Sequence, residues 1–182
     1  MNKTTKSIVY AAALLAICLV SQVFKNLSVY ITGPIINACL ILCVMTAGPV
    51  YAVALAVITP ITAYFISGSP IMSAIPAIMP CVMVGNAILV LGVYLLKDRI
   101  KKPAGFPVSM VVGSVLKAAF MGVVISLILI PTMLPASKMA EKLMPKMAVF
   151  QTTFSVTQLI TALIGSALAF VLWIPVSKTI NK

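Results

Sequence analysis

The stretch Phe106–Ile130, FPVSMVVGSVLKAAFMGVVISLILI, constrains this chain more than any other. It is about 25 residues of almost unbroken apolar sequence, long enough to cross a bilayer with some tilt. Its single charge, Lys117, falls near the middle. A lysine at the centre of a spanning helix costs roughly 2.5–3.5 kcal/mol on insertion scales. Three roles meet that cost. The ammonium can snorkel along its stem to an interface, bond to structural partners such as backbone carbonyls, or face the bundle interior as a ligand or pathway residue. Gly113, Ser114, Ala118 and Gly122 surround it and let neighbouring helices come close.

The rest of the chain is of the same kind. With 62% hydrophobic and 8% charged residues among 182, it has too little polar surface for a soluble domain. We expect an all-α polytopic membrane protein, a single domain over residues 1–182, built as a bundle of six transmembrane helices in the cell membrane. The six apolar segments run over about 7–24, 31–47, 50–66, 81–96, 106–130 and 147–174. The first follows a basic start but lacks a small-residue cleavage site, so it reads as a retained helix. Pro60 predicts a kink in the third. Residues 67–80, SGSPIMSAIPAIMP, hold too much proline for a straight helix and too many apolar side chains for a solvated loop, which predicts a lid or re-entrant segment. Residues 131–146 interleave Met and Leu with lysines, as an interfacial turn or short helix would.

The net charge of +11 belongs to the span ends and does not point to nucleic acid. With six spans, Lys3, Lys6, Lys97, Arg99, Lys101, Lys102, Lys178 and Lys182 share one side, and Lys25, Lys138, Lys142 and Lys146 the other. Eight against four predicts both termini in the cytoplasm.

Several chemistries lack their residues. The only carboxylates, Asp98 and Glu141, lie outside the spans, and the chain has no histidine. Proton coupling through an intramembrane acid, metal-assisted or triad hydrolysis, and general acid–base catalysis therefore have no side chains to run on. No phosphate-loop motif is present, so uphill transport draws its energy from a partner or from sodium coupling through carbonyls, which leaves no mark in the sequence. Cys18, Cys39, Cys43 and Cys81 all sit in apolar stretches as small hydrophobes. We expect no enzyme, no cofactor and no metal site.

Polar residues within spans remain as candidates. Asn37, Asn86 and Gln158 lie in the outer half or near the midplane at about 1.5 Å per residue. Gln151, Ser155, Gln158, Ala162 and Gly165 recur on one helical face of the sixth span. Each amide alone can be helix–helix glue, but several converging at one depth with Lys117 suit a solute pocket. No carboxylate in any span can neutralise Lys117, so the lysine is either neutral when empty or touches water in a cavity; an anionic solute such as a carboxylate-bearing vitamin would supply the missing charge. Helical side chains lean toward the helix N-terminus, here the cytoplasmic end, so the pocket has to reach the midplane for Lys117 to enter it. In the first span, Ala12 and Ala16 form a small-xxx-small pair that admits another helix.

Together these features resemble the substrate-binding S components of energy-coupling factor (ECF) vitamin transporters, over nearly the whole chain. The resemblance is carried by the length, the basic six-span pattern, the alanine pair Ala12 and Ala16, and the stretches ITGPIINACLILCVMTAGPVYAVALAVITPI (31–61) and PCVMVGNAILVL (80–91). It implies a substrate-binding subunit of an ABC-type importer that captures a vitamin or related micronutrient from outside. Its expected partners are a transmembrane coupling subunit, met through Ala12 and Ala16, and two ATPase subunits. It also implies a pocket near the fourth to sixth helices, which Asn86, Lys117 and Gln158 fit, with Asn37 beside them. The single Trp173 lies near the cytoplasmic end, so tryptophan stacking in the pocket is not expected, which favours a small solute over a thiamine-like one. Two other classes stay open: a stand-alone secondary transporter or channel, and an assembly scaffold without a solute. Accumulation in liposomes lacking ATPase subunits marks the carrier, and absence of any ligand-dependent thermal shift marks the scaffold.

Overall fold

The computed structural model describes residues 2–24, 28–100 and 104–180. Among these it is helical with no strands, and six helices are long and apolar enough to cross a membrane. Lys25, Lys101, Lys102 and Lys182, which enter the charge count above, lie outside the described residues.

Helix α1 (Lys3–Val23) is the most exposed of the spans, and α2 (Val29–Thr46) the most buried. The Ser28 hydroxyl opens α2 by accepting the Tyr30 N–H at 3.2 Å, satisfying one of the orphan donors of a helix start. Helix α3 (Pro49–Ser67) begins on a proline, whose missing N–H costs nothing there. It ends on Gly68, whose φ of 57° closes the helix in the left-handed region.

The predicted lid is the short helix α4 (Pro70–Ala74), with Ile71, Met72 and Ile75 buried beneath it. Helix α5 (Ile78–Leu96) starts three residues before the expected Cys81, inside that segment. The fifth span departs from expectation. It runs from Gly105 to Met133 as α6 (Gly105–Met121), a π-helix (Gly122–Leu129) and α7 (Ile130–Met133). The segment after it holds α8 (Ala140–Leu143) and a 3₁₀ turn (Met144–Lys146). The sixth span is not one helix either. It breaks at Ser155 (φ −118°, ψ −88°) into α9 (Met147–Phe154) and α10 (Val156–Ile180).

Close helix pairs are made by glycines. A Cβ at Gly165 would lie 2.7 Å from both the Asn37 Cβ and the Pro34 carbonyl oxygen, so only glycine lets α10 seat on α2. A Cβ at Gly92 would lie 3.1 Å from the Gly113 Cα, which draws α5 and α6 together in the same way. Two apolar clusters result. One is centred on α2 and contains the free, buried thiols of Cys18, Cys39 and Cys43; the other lies under α4 and α9. Trp173 packs against Phe106 with ring centroids 6.1 Å apart, in the α2-centred cluster.

Candidate functional site

Between the two clusters lies a cavity of about 320 Å³. Helices α2, α3, α5, α6 and α9 wall it, the start of α10 contributes, and α4 covers it. Its lining is mostly apolar with a few polar groups, the usual make-up of a small-molecule site, and its size is at the low end of the range of about 300–1,000 Å³. Asn37, Asn86, Lys117 and Gln158 all line this one space.

Lys117 neither snorkels nor meets backbone carbonyls. It is 3% exposed, and its Nζ donates to Asn37 Oδ1 at 2.6 Å and to Asn86 Oδ1 at 2.7 Å. Hydrogen bonds to a charged group are worth roughly 1.5–3 kcal/mol each. Two of them match the roughly 2.5–3.5 kcal/mol cost of a lysine at mid-span, so neutral oxygens can hold the ammonium without a carboxylate. The Lys117 side chain reaches the cavity, where the amides of α2 and α5 meet its Nζ.

Asn86 is held in turn by α3. Pro60 has no N–H, which leaves the Ala56 carbonyl four residues earlier without its helical donor. Asn86 Nδ2 donates to that carbonyl at 3.4 Å, which turns Oδ1 toward Lys117. A chain of contacts therefore runs Ala56, Asn86, Lys117, Asn37. Its first link was readable only as a proline kink, since nothing in the sequence says which side chain will answer the freed carbonyl. The nearby Thr59 carbonyl accepts Gln22 Nε2 at 3.0 Å, and the Thr59 hydroxyl and Gln22 Oε1 are buried without a partner among the described residues.

The polar stripe expected on the sixth span is divided by the break at Ser155. Gln158 lines the cavity, and its amide makes no hydrogen bond among the described residues. Gln151 does not line it. Its Nε2 donates to the Ser126 carbonyl at 2.9 Å, and the Ser126 hydroxyl donates to the Gln151 carbonyl at 2.8 Å, fastening α9 to the π-helix. Ala162 and Gly165 are buried against the bundle. Sequence reasoning missed the apolar walls, Ile71 and Met72 from α4 and Phe150 and Phe154 from α9, because apolar residues do not stand out in an apolar chain.

Ala12 and Ala16 are both exposed on α1, away from this cavity. No group of three or more His, Cys, Asp or Glu that could hold a metal ion occurs among the described residues.

The family model for the substrate-specific component of ECF transporters matches residues 6–177. No curated protein and no solved structure matches the chain.

Proposed function

Since this chain belongs to the substrate-specific component family of ECF transporters, we propose that it captures a vitamin or related micronutrient from outside and holds it in the 320 Å³ cavity. Membership makes it an integral membrane transporter subunit and not an enzyme, working with a small-molecule substrate and with the transmembrane and ATPase subunits of an ECF module. The solute is held by Lys117, Asn37, Asn86 and Gln158. Both termini face the cytoplasm, so α4 and α9 lie at the outer mouth. The exposed Ala12 and Ala16 on α1 form the seam against the coupling subunit.

The observation that supports this most is the buried Lys117 Nζ, held by two amide oxygens at a mostly apolar cavity. A cation so placed serves no fold that an apolar residue could not serve as well, since replacing buried charge with apolar side chains is often neutral or stabilising. Lys117→Met keeps the length and removes the charge. Solute affinity in that variant should fall by about 1–3 kcal/mol, the range for a hydrogen bond to a charged group. Native mass spectrometry of molecules that travel with the purified protein reads this directly. Equal retention by the wild type and the variant overturns the role of Lys117.

A further inference from the structure

The cavity has a hydrogen-bonding polarity as well as a shape. An ammonium carries three donors. Two of those of Lys117 go to the oxygens of Asn37 and Asn86, which are thereby spent. Asn86 cannot turn round to offer its oxygen elsewhere, because its Nδ2 is tied to the carbonyl that Pro60 frees. The Thr59 hydroxyl and the Gln158 amide, which also line the cavity, have no partner among the described residues. What remains on Lys117 and Asn37 themselves is the third Lys117 N–H and the Asn37 Nδ2, which has no partner among the described residues. Both are donors. Lys117 is also the sole ionisable residue in the lining, and neither Asp98 nor Glu141 reaches it. The lining from α4 and α9 is chiefly apolar, with Ile71, Met72, Phe150 and Phe154, and Ser69 and Thr153 beside them.

Resting on the binding role proposed above, we infer that the solute is a small monocarboxylic acid without a positive charge and with a compact, apolar body. Its carboxylate accepts from Lys117 and Asn37, and its body lies against α4 and α9. An amino acid or amine fails in this site. Its ammonium would be buried near the like charge of Lys117, with the Asn37 and Asn86 oxygens already taken and only the Gln158 oxygen and the Thr59 hydroxyl left to accept. A dicarboxylate fails because its second charge would find no cation in a largely apolar lining. A neutral amide leaves the buried lysine without a counter-charge and gains only ordinary hydrogen bonds.

The test uses the full-length protein in nanodiscs and a library of matched sets sharing one body: acid, primary amide, α-amino acid and dicarboxylate. One such set is 3-phenylpropanoate, 3-phenylpropanamide, phenylalanine and phenylsuccinate. Thermal shifts should be led by monocarboxylates, with the best acid binding at least about tenfold tighter than its own amide, as one charge-assisted bond predicts. Lys117→Met should bring the acid and amide affinities within about threefold. Asn37→Asp, which keeps the shape and gives Lys117 a carboxylate partner of its own, should do the same and covers the case in which Lys117→Met fails to fold. Largest shifts from amines, amino acids, dicarboxylates or amides, or no shift from any acid, overturn the inference. Co-purification with the ECF coupling and ATPase subunits is read in parallel. An intact complex without acid preference removes only the solute class, whereas loss of the complex removes the transport role itself.

Discussion

Asn86 faces two helices with one side chain, and a pair of substitutions separates its tasks. Asn86→Ala leaves Lys117 one partner short and the Ala56 carbonyl bare, at a cost of about 1–3 kcal/mol for each buried group left unpaired. Denaturant or thermal unfolding in detergent should show that loss. Pro60→Ala acts in the opposite sense on the fold. It restores the N–H that the Ala56 carbonyl lacks, and interior proline costs a helix about 3 kcal/mol. The variant should be as stable as the parent or more so, yet bind solute more weakly because Asn86 is released from its carbonyl. Stability and binding that fall together in Pro60→Ala would remove the orienting role of the proline. At this scale the sequence was largely legible. Lys117, Asn37, Asn86 and Gln158 are conspicuous because each is a polar group where polarity is expensive. Their pairing was not legible, because it joins residues 80 and 31 positions apart and depends on how helices rotate against one another.

Helices were legible wherever a residue type forces the backbone. The turn at Gly48-Pro49, the end of α3 at Gly68 and the proline-rich lid all follow from such residues. The π-helix and the break that sets off α9 do not. GVVISLIL has no glycine or proline in its interior to mark a π-helix, and the break at Ser155 falls in a run that is helical by pattern. Both are answered from outside the helix, by the reciprocal Ser126–Gln151 bonds. Gln151→Leu should therefore loosen α9 specifically. Hydrogen exchange should rise over 147–154 while α2 and α5 stay protected; uniform exchange across the bundle would contradict this. The glycine contacts make a second element-scale prediction. Gly165→Ala forces α10 away from Asn37 and Pro34, an overpacking that costs about 1–3 kcal/mol. It should lower both the melting temperature and the solute affinity.

For the molecule as a whole, the exposed faces of α1 and the two sides of the bundle carry the predictions. Ala12→Trp or Ala16→Trp should block close approach of a partner helix and reduce uptake, while solute binding to the isolated subunit survives. Equal loss of both would mean that these alanines serve the chain's own core. A cysteine at Lys142 should react with an impermeant reagent on intact cells, and one at Arg99 should not; the reverse would invert the bundle. The lysine held by two neutral oxygens has a last consequence, which concerns supply rather than chemistry. A subunit whose core is completed by its own cargo is stabilised by RT ln(1 + [L]/Kd), about 2.7 kcal/mol when the cargo stands at a hundred times its Kd. Cells that run short of the nutrient would then carry subunits that open more often and are cleared faster. Under the proposed function, the abundance of the subunit in the membrane would record how recently its solute was present.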